Sequence, residues 1–158
     1  MRSRILIGVL ISVVLVAGVA AAALAGRPRE PISSPQTLSF IMVTTSTGSI
    51  DADPSGTSTG DQQTSNNLLM KGGVKQGHLG ANCSLTLPQM ICWAVIRLQP
   101  GQITIAGQLR KSVLMGSSGA PIRIAITGGT GAYQHVHGTA VIAQTGSGKQ
   151  RITLNLAP

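Results

Sequence analysis

Along most of this chain apolar and polar residues alternate one for one. In Gln102–Arg110, Ile103, Ile105 and Leu109 take one parity, and Gln102, Thr104 and Gln108 take the other. In Gln150–Leu156, Ile152, Leu154 and Leu156 oppose Arg151, Thr153 and Asn155. A period of two is the mark of a strand with one wet face. Similar runs predict strands near Leu38–Thr45, Asn66–Lys71, Val74–Thr86, Met90–Leu98, Gln102–Arg110, Pro121–Thr127, Gln134–Gln144 and Gln150–Leu156. Turn signals separate them: Gly72-Gly73, Pro88, Pro100-Gly101, Gly116–Gly119, Gly128–Gly131 and Gly146–Gly148. No stretch after Arg29 keeps a helical period. Short strands at regular spacing imply an all-β sandwich or barrel, and about eight strands suit a closed antiparallel barrel, which leaves no sheet edge.

Two stretches break the pattern. Ser46–Asn67 is poor in apolar residues and reads as a long mobile loop or a weak strand pair. Met90–Leu98 is apolar on both parities, with Ile91, Trp93 and Val95 behind Met90, Cys92, Ala94, Ile96 and Leu98. Both faces of that strand need cover, which predicts a subunit partner.

The first segment stands outside this pattern. Arg2 and Arg4 precede an apolar run from Ile5 to Ala25 that ends in small residues, with Ala23-Leu24-Ala25 as an A-x-A site. A basic head, an apolar middle and a small-residue end make a secretory signal, cleaved before Gly26. The rival reading is an uncleaved membrane anchor, since the run is long enough to span. Either way the rest is exported. Pro28, Pro31 and Pro35 make the next stretch an extended linker. The expected organisation is a signal over 1–25, a Pro-rich linker over 26–36 and one β-barrel over 37–158.

Composition narrows the function classes. The 158 residues carry 12 Lys+Arg against 4 Asp+Glu, a formal charge of +8. Cleavage of the signal removes Arg2 and Arg4 and lowers this by two, to +6. The positive excess forms no run, and one Trp, one Tyr and one Phe offer little to stack on bases. Nucleic acid is therefore not an expected partner. With 42% of residues hydrophobic the chain has material for a core.

One segment carries the strongest local signal: Ile126-Thr127-Gly128-Gly129-Thr130-Gly131-Ala132-Tyr133-Gln134-His135-Val136-His137-Gly138. As a dinucleotide fingerprint its glycines would need a helix and a βαβ unit after them. A further strand follows instead, so no nucleotide cofactor is expected. In a β context Gly128, Gly129, Gly131 and Gly138 permit strained turns.

In that form the segment resembles the allene oxide cyclase and dirigent barrel superfamily. There an apolar strand leads to Gly-Gly-Thr/Ser-Gly, one residue, an aromatic, and a Gly five residues on; Tyr133 and Gly138 fit that spacing. Gly60-Asp61 with Asn67-x-Leu69, Gly77 to Cys83, and Gly101-Gln102-Ile103-Thr104-Ile105-Ala106-Gly107 resemble three further family motifs, in order. The resemblance runs from about Leu38 to Leu156. It implies an eight-stranded antiparallel barrel, a homotrimer, and an apolar pocket at one mouth. It implies a binder of a small hydrophobic metabolite, one that steers cyclisation or stereoselective coupling without a cofactor; with the signal segment, the expected protein is secreted. The alternative is a non-catalytic carrier or structural barrel filled by Ile, Val and Leu. The chain departs from the family at Val136-His137-Gly138, where Ala-Arg-Gly is common, and lacks the acidic first strand of plant cyclases.

The candidate site follows from both readings. Asp61 matches the family's Gly-Asp position and can serve as a general acid or base at the mouth, or hold a turn. His137 takes the family's basic position. His135 and His137, two apart, share a face if they lie in a strand; no third metal ligand is evident, so no metal is expected. Asn67, Tyr133, His135 and Arg97 complete the expected ligand-binding set, with Tyr133 also readable as a plug beside the glycine turn and Arg97 as a solvent-reaching side chain. Cys83 and Cys92 flank Leu87-Pro88, and pairing Leu85 with Met90 sets them opposite each other. Export favours a disulfide there; the family resemblance instead makes Cys83 a free thiol beside the pocket.

Overall fold

The computed structural model describes residues 30–110, 119–146 and 149–158. The signal segment, the first part of the linker and parts of the Gly116–Gly119 and Gly146–Gly148 turns lie outside these. Eight strands follow in order: β1 Gln36–Ile50, β2 Gln62–Lys71, β3 Val74–Thr86, β4 Gln89–Leu98, β5 Gly101–Arg110, β6 Ile122–Gly131, β7 His137–Gln144 and β8 Gln150–Ala157. Each pairs antiparallel with its neighbours, and β1 pairs with β8, closing the barrel. The predicted fold class and all eight strands are present.

One segment resolves between two alternatives, in favour of the strand pair, and another differs from the sequence expectation. The polar stretch after Thr45 is half strand: Ser46 to Ile50 pair with Asn66 to Gln62, past a bulge between Thr44 and Ser46. These residues lie on a ladder held by backbone bonds, so low apolar content does not keep them out of the sheet. At Gln134–Val136 the chain is not a strand but a turn, and His135 sits at φ 69°. The turn is closed by amides: Tyr133 N–H donates to Thr130 O, Gln134 N–H to Gly131 O and Val136 N–H to Tyr133 O.

Alternation sends one parity of every strand inward. Leu69, Ile96, Ile103, Ile152 and Leu154 are fully buried in the centre. Among them Ile96 and Ile103 share one level with Leu79, across three adjacent strands. One end of the barrel is sealed by the turn after β6. Ala132, Tyr133 and Val136 are buried over it. The arm before β1 docks there, with Ile32 N–H donating to Ala132 O at 3.0 Å.

Glycine makes this seal possible. Gly131 takes φ 63°, and a Cβ on it would strike the carbonyl of Pro100. Gly129 passes between the carbonyls of Gln102 and Tyr133, with no room for a side chain. Gly128 and Gly138 also take positive φ. A register shift opposite Thr104 and Ile105 bends β6 just before this point. Gly128, Gly129 and Gly131, expected to form the turn themselves, instead stay in β6 paired with Thr104, Ile103 and Gly101, and Gly138 lies in β7; the turn that crosses the end begins after them, at Ala132.

Candidate functional site

The other end of the barrel differs because its inward side chains are small. Following the registers across β2, β3 and β4, Ser65 faces Ala81, which faces Ala94. One level further out, Cys83 faces Cys92, which faces Gly107. Where the central level carries Leu and Ile, these two levels carry little bulk on one side of the barrel. The result is a cavity of about 130 Å³. Its opposite wall is Ile105, Leu109, Ile122, Ile124 and Ile142. Its polar contributions come from Ser65 and Gln150. Among the described residues, none that lines it carries a charge.

The disulfide is part of this wall. Cys83 and Cys92 are bonded, with Cα atoms 4.0 Å apart. Leu85 pairs with Met90, the register that sets the two cysteines opposite each other. The free-thiol alternative for Cys83 is thus set aside.

The candidate residues scatter. Asn67 is 3% exposed and faces inward opposite Leu79. Its Oδ1 accepts from Thr44 Oγ1 at 2.8 Å, and its Nδ2 donates to Ser65 Oγ at 3.3 Å. Asp61 lies at the cavity end, since its carbonyl accepts from Leu85 N–H at 2.8 Å. Its carboxylate organises the β1–β2 loop: Oδ1 accepts from Ala52 N–H and Ser58 Oγ, Oδ2 from Ser58 N–H, all within 3.0 Å. It is not among the cavity-lining residues.

The remaining candidates lie elsewhere. Tyr133 plugs the sealed end, away from the cavity. His137, paired with Ala157 at the start of β7, is exposed. His135 is exposed in the sealing turn, so the expected shared strand face with His137 does not exist. His78 pairs with Arg97 on the outer face, four strands round the barrel from β7. Among the described residues no three His, Cys, Asp or Glu side chains group to hold a metal. Arg97 is exposed too, in an outer groove with Thr64, Asn66, Gly80 and Trp93.

Of the expected residues, Cys83 and Cys92 line the cavity and Asn67 only touches a lining residue, Ser65; Ser65, Ala81 and Ala94 lie outside the sequence expectation. A signal for part of this lining was present. Once Leu85 is set against Met90, Ala81 falls opposite Ala94, two adjacent strands with no bulk at one level.

An apolar cavity at one end of a barrel plugged at the other invites comparison with known proteins. No protein-family model matches the chain, and no curated protein matches it significantly. Solved structures do match. A structure titled "Pyocyanin demethylase" superposes with a TM-score of 0.65 at 24% identity, over 77% of this chain and 100% of its own. The chain shares its barrel fold. The Diels-Alderase AbmU from Streptomyces koyangensis superposes with a TM-score of 0.63 at 18% identity, over 78% of this chain and 63% of its own. AbnU, titled an exo-specific intermolecular Diels-Alderase, gives 0.61 at 11% identity, over 78% of this chain and 98% of its own. At these identities the likeness is one of fold.

Proposed function

We propose that this chain is an exported barrel that takes a small, neutral, hydrophobic molecule into its cavity end and steers its cyclisation or coupling by holding its shape. The cavity carries this reading: about 130 Å³ of apolar space at one end, with the other end plugged. An engineered cavity of comparable size in another protein, roughly 150 Å³, stays dry and binds benzene. A molecule larger than one ring would place its apolar end here and leave the rest toward the rim. Cyclisation of a folded precursor needs orientation more than proton transfer, which suits a wall whose described residues include no acid or base. The allene oxide cyclase and dirigent resemblance and the Diels-Alderase neighbours support the same class of work.

A second reading has its own observation. The barrel centre is packed solid by Leu69, Ile96, Ile103, Ile152 and Leu154. That favours a carrier which holds its ligand unchanged. Mass spectrometry of ligands released from the purified protein tests both. A cyclised product or its linear precursor supports steering, and an inert apolar metabolite supports the carrier. An Ala94→Phe variant that fills the cavity yet retains the same ligand would overturn both.

Export, with cleavage before Gly26, and assembly into a homotrimer complete the proposal. Half-exposed Ile91 and Trp93 on the outer face of β4 supply an apolar strip for a second copy.

A further inference from the structure

Asn67 is one of two buried polar residues among those described, the other being loop Ser58. An amide inside an apolar barrel costs stability unless its groups are bonded. Here it is bonded, and the direction of those bonds matters. Thr44 Oγ1 gives its proton to Asn67 Oδ1. Asn67 Nδ2 gives one of its protons to Ser65 Oγ. Asn67 therefore acts on Ser65 as a donor. A hydroxyl that accepts on a lone pair still has its own proton to give. Among the described residues no acceptor takes the Ser65 proton, and Ser65 lines the cavity. Its cross-strand partners are Thr47 of β1, whose hydroxyl it does not bond, and Ala81 of β3, which has no acceptor on its side chain.

We propose that Ser65 is the specificity-determining donor of the cavity, and that its acceptor is a carbonyl oxygen on a neutral, otherwise apolar ligand. This rests on the ligand-binding reading above and deepens it to a substrate class. Asn67 and Thr44 are positioning residues: they fix the Ser65 lone pair, and so the side on which its proton points. The uncharged wall rejects carboxylates and ammonium groups, which lose hydration there without gaining a partner. A hydrogen bond in such a wall also strengthens as negative charge grows on the acceptor oxygen. Ser65 would thus polarise a conjugated carbonyl as well as orient it.

The test uses two probes of one shape, acetophenone and ethylbenzene, titrated against the full mature protein by ligand-observed magnetic resonance. Infrared spectroscopy with a carbon-13 carbonyl reads the bond directly. Wild-type protein is expected to bind both, with the acetophenone band at the lower frequency of a hydrogen-bonded carbonyl. Ser65→Ala is expected to weaken acetophenone about three- to tenfold, raise its band to the unbonded position, and leave ethylbenzene unchanged. Ser65→Thr, which keeps a hydroxyl, is expected to restore both readouts. Binding of both probes by wild type with an unbonded carbonyl band overturns the Ser65 assignment, and needs no variant to fold. An equal loss of both probes in Ser65→Ala overturns it too. Failure of wild type to bind either probe overturns the ligand-binding reading itself, and the assignment with it.

Discussion

Reduction of the Cys83–Cys92 bond changes one covalent link and removes no side chain, which makes it a clean perturbation. The cysteines are nine residues apart, so the cross-link closes a loop of about ten residues. In the chain-entropy model such a loop removes about 9 cal/mol/K from the unfolded chain, or about 2.7 kcal/mol at 25 °C. The folded barrel is expected to change little, because Cys83 and Cys92 sit on a ladder that pairs Thr86 with Gln89 and Leu85 with Met90 on one side and continues through Ala81 and Ala94 on the other. Stability for a domain of this size lies at about 5–15 kcal/mol, so the reduced barrel is expected to remain folded. The melting midpoint should fall by roughly 6–14 °C. Urea unfolding with and without a reductant, followed by Trp93 fluorescence, is the assay. A shift below about 0.5 kcal/mol would refute the reasoning, since the cross-link would then not constrain the unfolded chain. Complete unfolding on reduction would refute it from the other side, because the ladder alone would not hold the hairpin.

Other outcomes follow from the same geometry. Tyr133→Ala opens the sealed end and is expected to cost about 3–5 kcal/mol in thermal melts, while ligand affinity at the cavity end stays within twofold. Gly131→Ala forces a side chain toward the Pro100 carbonyl at φ 63° and is expected to destabilise by more than about 1 kcal/mol; Gly146→Ala, with open space around it, is expected to shift unfolding by less than about 0.5 kcal/mol. Asp61→Asn replaces one acceptor oxygen with a donor facing the Ser58 amide or hydroxyl, and is expected to cost about 1–3 kcal/mol and to speed hydrogen exchange over residues 52–61. Trp93→Lys places a charge in the exposed strip of β4, and sedimentation is expected to show a trimeric wild type reduced to monomer.

How much of this was legible beforehand depended on where the cause lay. All eight strands were readable because alternation and turn glycines are local. The cysteine pairing was readable because a two-residue turn fixes the register on either side of it. The extension of β1 past Thr45 was legible only as one of two alternatives, a loop or a weak strand pair, because Ser46 to Ile50 owe their conformation to pairing with Gln62 to Asn66, partners with no apolar face to announce them. His135 misled for a related reason: the glycine turn runs four residues longer than its glycines, and only the amide bonds of Tyr133, Gln134 and Val136 reveal it. The cavity was the least legible feature. It arises from small residues at the same level on adjacent strands, and that coincidence exists only once every register is set.

Closure of the barrel has a consequence for how the chain is made. β1 forms the last seam, its first half zipped to β8 from Gln36 against Leu156 to Met42 against Gln150. The strand synthesised first among these thus waits for the one synthesised last. Until β8 emerges, β1 presents Leu38, Phe40 and Met42 on an edge with one partner missing, and closing so distant a pair is entropically slow. The nascent barrel is an open, sticky sheet for the whole of its synthesis. Such a chain gains its full protection only in a single late step, and any factor that shields β1 before then would act as its chaperone.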